Sequence, residues 1–489
     1  MAIVWIVALP FFSHVVCAAQ LSELLAKHGL SVTLFAATAD LQQLRSNPML
    51  EKWKEQRLDI NLQDLDINSA ILADGVGDLR RFTEPFLQTG RAIEEFLKKD
   101  SVRGVKPTCV ISDFMVHGVH DAAAEYKIPS WTFSAFPVGY IATYVYVKQL
   151  ESKGLMQLPH ERLSQLSQDE FISPPGQTLL RICDLSPLFF RDGPFYQSAL
   201  QLFQPFLNVD VILFSGFEEF EPRAVNELRR IFKAHASRNS KQIPQILTLG
   251  PLFPIPSYSK RSNLGDTQGA DVHPCIKFLD SHPPTSVVYV AFGTDVNLSQ
   301  EQIRELVFGL ETSQQPFLCV LNTPKDYPNL NFEVEDITSI LPPECLESIQ
   351  SRSLFVKWAP QQEVLSHPST GAFISHCGFN SILESVSLGV PILAWPFKFE
   401  QFMNCRHLVD MAQVSLEVCP GLISDGFVTR GDVERCINTL FRSSEGTAVR
   451  ERAVQMKQRA EAALRENGSS SENMKKLVEL IRSLAAVDA

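Results

Sequence analysis

The sequence predicts an α/β protein made of two doubly wound parallel-sheet halves, and three observations carry that reading. Short apolar runs of strand length alternate with helix-period segments from the first residues onward. At 489 residues and 45% hydrophobic composition, the chain can bury large cores and is too long for one ordinary domain. Between Ile243 and His273 the composition shifts to Pro, Ser, Asn and Gly, as expected of a connection between halves, and the alternation then resumes.

The elements follow in order. Ile3 to Leu9 reads as a buried strand. Over Val15 to His28 the residues Cys17, Leu21, Leu24 and Leu25 share one helical face, with Ser13 as candidate N-cap and Gly29 as the stop. Ser31 to Phe35 completes a βαβ unit, for which right-handed winding is expected. Thr108 to Asp113 and Val211 to Ser215 are further buried-strand candidates. After the connection, Ser286 to Phe292 restarts the pattern, which continues through Phe355, Gly371 and Pro391. Gly371 to Ser375 is a strand, Ile382 to Leu388 the helix after it, and His376 to Ser381 the turn between them. The tail from Val428 holds three helical segments broken at Ser443-Ser444 and at Gly468 to Ser471.

Charge and cysteine usage narrow the function classes. With 44 Lys+Arg against 55 Asp+Glu, the net charge of −11 argues against a nucleic-acid or anionic-membrane surface and points to small-molecule partners. The ten cysteines include no CxxC pair, which suits a reducing compartment better than a disulfide framework. The apolar start, Ala2 to Phe12, lacks a basic n-region and reads as the first strand, not a signal peptide. No apolar run reaches the roughly eighteen residues that a membrane span needs. The expectation is a soluble, cytoplasmic protein without an integral membrane segment, with monomer as the default state.

The stretch from Trp358 to Gln401 carries the chemistry. A strand-to-helix turn such as His376 to Ser381 aims backbone N–H groups and the positive end of a helix dipole at whatever lies above it, which favours phosphate. Gly378 permits close approach and His376 adds a donor, while Trp358 offers a face on which a base can stack. Gln361 and Glu384 suit vicinal ribose hydroxyls. A competing reading needs no ligand: Ser381 and Glu384 spell an S-x-x-E capping box. On the turn alone the two readings stand level.

The whole stretch resembles the signature box of the plant secondary-product glycosyltransferases, the family 1 UDP-glycosyltransferases. The matching positions are Trp358, Pro360, Gln361, Leu365, His367, Gly371, Phe373, His376 to Gly378, Asn380, Ser381, Glu384, Gly389 to Pro391, Pro396, Glu400 and Gln401. The resemblance implies a GT-B fold, two Rossmann-like domains facing across a cleft: an acceptor-binding domain over 1–245, a UDP-sugar-binding domain over 246–470, and a helix over 471–489 that returns to the first. It also implies that Trp358 stacks on uracil, that the Ala359 backbone bonds the uracil edge, and that Gln361 and Glu384 take the ribose. His376, Asn380 and Ser381 would take the diphosphate, together with the Thr294 hydroxyl, and Glu400 and Gln401 the sugar hydroxyls. Phe379 stands where the family usually has Trp, a departure that bears on donor choice. Gln401 looks like the glucose-preferring form.

The base is expected in the first half. His14 directly follows the first strand, in the crevice at strand carboxyl ends where open α/β sheets bind ligands. A helix N-terminus disfavours a cation and so suits an imidazole that must accept a proton. Asp113, ending another strand, would face the same crevice and could fix the tautomer. On placement alone a polar cap is the commoner role for such a His. By resemblance, Pro10 to His14 matches the family's catalytic-base segment, with Ser13 in place of the usual Gly, and Asp113 maps onto the base's partner. Phe11, Phe12 and Phe136 suit a flat aromatic acceptor. Ser134 is a weaker candidate for touching the sugar, and ordinary turn polarity is the favoured reading of it. The implied reaction is an inverting displacement that moves glucose from UDP-glucose to a flavonoid or other phenolic and gives a β-glycoside, without metal or cofactor.

Three other motifs carry less. Asp64-Leu-Asp66 spells the DxD of metal-dependent glycosyltransferases, but so short a match is common by chance. His117 and His120 have helical metal-ligand spacing without a further ligand cluster. Gly75-Val-Gly77 is half of a dinucleotide fingerprint and follows no clear strand. Two alternatives stand beside O-transfer: a C-glycosyltransferase on the same scaffold, or a non-transferring, epimerase-like binder of UDP-sugars.

Overall fold

A computed structural model describes residues 2–67, 79–102, 106–116, 118–152, 171–186, 209–239, 242–255, 272–294, 296–322, 340–421 and 426–487. The chain divides into two compact units, Met1–His160 with Pro187–Phe253 and Ala462–Ala489, and Glu161–Ser186 with Pro254–Glu461.

The first unit opens β1 (Ile3–Val7), α1 (Phe12–Lys27), β2 (Ser31–Ala36), α2 (Thr38–Arg45), α3 (Pro48–Glu55) and β3 (Ile60–Asp64). It continues with α4 (Leu79–Val102), β4 (Cys109–Asp113), α5 (Val119–Glu125), β5 (Ser130–Ser134) and α6 (Val138–Ser152). A short antiparallel hairpin, β6 (Phe171–Ile172) and β7 (Leu180–Arg181), belongs to the second unit. The chain then returns to the first with β8 (Val211–Phe214), α7 (Pro222–Asn239) and β9 (Gln245–Thr248). The resulting parallel sheet has the order β3-β2-β1-β4-β5-β8-β9. β4 is buried along its whole length, as parallel strands covered on both faces are.

Two sequence expectations are corrected here. α1 starts at Phe12, its N-cap position is Phe11, and no side chain caps it. Ser13 therefore lies inside the first turn and is not the cap. β9 lies within the stretch read as a connection, and the boundary expected at 245/246 falls inside it. Its pairing with β8, from Val211↔Gln245 to Phe214↔Thr248, ties it to the first sheet.

The second unit runs α8 (Pro274–Asp280), β10 (Val287–Ala291), α9 (Gln300–Ser313), β11 (Phe317–Val320), α10 (Pro343–Ile349), β12 (Ser353–Val356), α11 (Gln361–Ser366) and β13 (Thr370–Ser375). It continues with α12 (Phe379–Leu388), β14 (Ile392–Ala394), α13 (Gln401–Arg406), a π-helical turn His407–Ala412, β15 (Ser415–Glu417), α14 (Arg430–Arg442) and α15 (Ser444–Leu464). Its parallel sheet has the order β12-β11-β10-β13-β14-β15. In both sheets the chain winds outward from the first strand in one direction and then, from the fourth major strand on, in the other. The topological switch points are therefore β1/β4 and β10/β13.

The last helix, α16 (Ser469–Val487), belongs to the first unit. Its Met474, Leu477, Val478 and Ile481 join the core built on β1, β2, β4 and α1. Asn473 Nδ2 donates to the Thr248 carbonyl at 3.0 Å, and Arg482 Nη2 to that of His28 at 2.7 Å. All ten cysteines are unbridged. Among the described residues no helix is long and apolar enough to cross a membrane.

Candidate functional site

At the β1/β4 switch point, His14 sits in the first turn of α1 and Asp113 ends β4. His14 Nδ1 lies 2.7 Å from Asp113 Oδ2, and both residues are buried. The other carboxylate oxygen accepts from Met115 N–H at 3.0 Å, which fixes the carboxylate plane. An ionised carboxylate can only accept, so it selects the tautomer protonated at Nδ1 and leaves Nε2 as the basic nitrogen.

Aromatic rings border this pair. The Phe136 ring centroid is 5.3 Å and that of Phe11 6.1 Å from the His14 ring. Phe136 stacks on Tyr140 at 5.3 Å and meets Phe114 edge-on, while Phe11 packs on Phe86. Phe12 points instead toward the hydrophobic core behind α1. Ser134 is fully buried, and its hydroxyl both donates to the Phe136 carbonyl and accepts from the Phe136 amide. It stabilises the turn that presents Phe136, so the turn-polarity reading describes its contacts.

At the β10/β13 switch point, α12 begins at Phe379, three residues earlier than its apolar pattern suggested. Its N-cap position is Gly378, which supplies no side chain. Ser381 is thus the third helical residue and Glu384 lies a turn deeper, so the capping-box reading fails. Glu384 is instead held by two amides: Gln361 Nε2 donates to Oε2 at 2.6 Å and Gln362 Nε2 to Oε1 at 2.8 Å. Gln361 also reaches Ser381 Oγ at 3.0 Å and accepts from the Tyr289 hydroxyl at 3.3 Å. Burial pushes the Glu384 carboxyl up from its ordinary range, and the two amides pull it back in part.

His376 projects from the turn between two glycines. A Cβ at position 378 would stand 2.3 Å from His376 Nε2, and one at 293 would stand 3.0 Å from Cε1. Gly293 has φ of +73°, so a side chain there is strained on backbone grounds as well. Nδ1 of His376 is buried with no hydrogen-bond partner among the described residues. Burial, assisted by the charge of Lys398, lowers the pKa of His376 to about 4, which leaves a neutral ring. Thr294 follows Gly293 on the surface, on a turn that Asn322 Nδ2 holds through the Gly293 carbonyl (2.8 Å) and the Val296 carbonyl (3.1 Å).

Trp358 is 62% exposed and meets the His273 ring edge-on at 5.6 Å, leaving the indole as a large apolar surface before buried Ala359. The Phe379 ring is buried. Asn380 and Ser381 are half-buried on the first turn of α12, and Glu400 is half-buried just ahead of α13. Gln401 is buried, with Oε1 accepting from the amides of Phe397 and Lys398 at 3.0 Å each. Its carbonyl end is thereby committed to the turn. A candidate missed in sequence is Asn404, whose Nδ2 holds the Cys377 carbonyl at 2.9 Å, beside a Cys377 backbone at φ +64°.

The distractor motifs resolve simply. Asp64 Oδ1 accepts from Thr38 Oγ1 and from Asp66 N–H, both at 2.8 Å, and so closes a turn after β3. His120 is held between Ser130 Oγ at 2.9 Å and Thr132 Oγ1 at 3.2 Å, and burial lowers its pKa to about 4. His117 and Gly75 to Gly77 lie outside the described residues. Among the described residues no group of three His, Cys, Asp or Glu side chains is placed to hold a metal ion.

Comparison with known proteins bears on this arrangement. Residues 243–440 match the family model described as "UDP-glucoronosyl and UDP-glucosyl transferase". The chain is 34% identical over 391 residues to the 7-deoxyloganetin glucosyltransferase of Gardenia jasminoides, covering 77% of this chain and 75% of the relative. The chain belongs to the plant family 1 UDP-glycosyltransferases.

As a UDP-glycosyltransferase it is also 28% identical over 490 residues to gallate 1-beta-glucosyltransferase 84A24 of Punica granatum, across 98% of this chain and 88% of that one. Its fold is similar to that of a UDP-glucosyltransferase from Polygonum tinctorium capable of glucosylating indoxyl (TM-score 0.80, 25% identity, 98% of each chain). It is likewise similar to Phytolacca americana UGT2 complexed with UDP-2fluoro-glucose and pterostilbene (TM-score 0.77, 25% identity, 98% of each chain). The two parallel-sheet units are accordingly those of a GT-B glycosyltransferase, and the turn after β13 lies within the matched region.

Proposed function

We propose that the chain transfers glucose from UDP-glucose to a hydroxyl of a small lipophilic aromatic acceptor, a flavonoid or other phenolic, with inversion to a β-glycoside. The observation that carries this reading is the 2.7 Å contact between His14 Nδ1 and Asp113 at the β1/β4 switch point. Nε2 takes the acceptor O–H proton as the oxygen attacks the anomeric carbon. The bond from that carbon to the diphosphate oxygen breaks, and UDP leaves with the electron pair. Asp113 stabilises the imidazolium so formed. One base suffices, so no glycosyl-enzyme intermediate enters.

In the second unit, Trp358 stacks on uracil, the Ala359 backbone bonds its edge, and Gln361 with Glu384 takes the ribose. The first turn of α12 receives the diphosphate through Asn380 and Ser381, with the close approach given by Gly378 and the backbone of Phe379, and with neutral His376 and Thr294 as donors. Glu400 and the Gln401 amide nitrogen bond the sugar. Phe11 and Phe136 form the acceptor wall. No metal or cofactor has a role in this scheme, and a chelator is expected to leave turnover unchanged. Gallate, in a relative's name, and pterostilbene, in complex with a structural neighbour, are both phenolic molecules, which supports the aromatic-acceptor reading.

The test is UDP release from UDP-glucose with a phenolic panel, comparing the native chain with His14→Ala and recording product mass and acid lability. Acceptor-dependent release that the variant loses is the expected result. An acid-resistant product would assign carbon linkage instead, and donor binding without product from any acceptor would favour the non-transferring reading.

A further inference from the structure

Glu221 lies far in sequence from both groups of site residues, yet it is one of the most deeply placed carboxylates described here. It is 2% exposed, ends the loop after β8, and leads into α7. Its neighbours on the loop have surface partners: Glu218 forms a two-point pair with Arg229, and Glu219 accepts from Ser469 Oγ. Glu221 turns inward instead. Its Oε1 accepts from Gly139 N–H at 2.8 Å and its Oε2 from Val138 N–H at 3.0 Å. These are the first two amides of α6, so a carboxylate from another element caps that helix with both oxygens.

α6 is the element on which the aromatic wall rests. Two residues before its start is Phe136, and in its first turn is Tyr140; their rings stack at 5.3 Å with 26° between planes. Phe136 is in turn 5.3 Å from the His14 ring. The contact path runs from the Glu221 carboxylate through two backbone amides and two rings to the imidazole. Burial pushes the Glu221 carboxyl up to about 7 against the pull of both amides, so the cap is kept at a cost in folding. A neutral Asn or Ser cap would avoid that cost.

We infer that Glu221 is a positioning residue for the acceptor, fixing the N-terminus of α6 so that Phe136 and Tyr140 hold an aromatic ring against His14. The inference rests on the reading of His14 and Phe136 as the acceptor side of the reaction. It concerns acceptor binding alone, because the residues read as donor contacts belong to the other unit.

The test uses two variants of the full chain. Glu221→Gln keeps the shape and loses one acceptor oxygen, and Val138→Pro deletes one of the two amide donors at a helix position where proline is tolerated. In both, acceptor KM is expected to rise about ten-fold while kcat and UDP-glucose KM stay within about two-fold. Calorimetric binding of the best phenolic in the panel, or of gallate if none turns over, is measured alongside. It is expected to weaken equally, which keeps this test separate from the transfer test. If either folded variant binds the acceptor as the native chain does, the inference is overturned. It is also overturned if melting temperature falls and all kinetic constants decline together, since Glu221 is then only a stabilising cap. Should Glu221→Gln not fold, Val138→Pro decides alone.

Discussion

At the second sheet's switch point His376 Nδ1 is buried without a hydrogen-bond partner among the described residues, a cost unless something completes it, and after β12 the Trp358 indole stands 62% exposed. Trp358→Ala should change folding stability by no more than about 0.5 kcal/mol, because the ring is mostly in water. It should weaken UDP binding by about 1–3 kcal/mol, the worth of stacking a base. Titration calorimetry beside a thermal melt separates the two. His14→Ala should lower kcat by about 10²–10⁴ with UDP-glucose KM unchanged, as removal of a general base requires. His376 sets a pH dependence. Its folded pKa of about 4 lies below the ordinary value of 6.5, so between these limits the unfolded chain binds more protons. Its contribution is complete above about pH 6.5 and lost as pH falls toward 4. Urea midpoints at pH 7.5 and 4.5 should therefore converge more in His376→Gln than in the native chain, and equal pH sensitivity would refute the assignment.

The two helices that start at the switch points share one property, and it explains what the sequence concealed. Neither α1 nor α12 has a side-chain cap, since Phe11 and Gly378 occupy their N-cap positions. Capping residues are the usual marker of a helix start, and here the nearest ones, Ser13 and Ser381, lie within the helices and misplace both starts. On the proposed reading these helix ends receive ligands, so the local signal is weakest at the places assigned to function. The strands were legible where burial on both faces makes them continuous apolar runs, as in β1, β4, β10 and β13. β5, reading Ser-Trp-Thr-Phe-Ser, and β9, set among prolines and polar residues, were not, because their identity comes from tertiary pairing. The His14–Asp113 pair was legible as placement after two strands, whereas Gln362, Asn404 and Asn322 support the site through contacts that no spacing announces. At this scale Gly378→Ala is informative. Its methyl would meet His376 Nε2 at 2.3 Å, and such overpacking costs about 1–3 kcal/mol. UDP affinity should drop about ten- to hundred-fold, read by calorimetry.

Across the whole molecule the same winding order is used twice with different chemistry at each switch point. On the proposed reading the first carries a proton acceptor with aromatic walls, the second a set of hydrogen-bond donors for an anion. Ligand linkage should report this division. At a hundred times its Kd, UDP adds about 2.7 kcal/mol to the state that binds it. Hydrogen exchange should slow in β10, β13 and α12, with α1 and β4 unchanged by UDP alone. The placement of α16 has a separate consequence, which concerns the making of the protein. A ribosome releases the first sheet's strands early, but the core they form lacks Met474, Leu477, Val478 and Ile481 until those residues have emerged. The second unit, complete at Glu461, is ready sooner. The half that is born first therefore matures last, with an apolar trough open in the interval, and it is this nascent half that should engage holdase chaperones when translation stalls before residue 469.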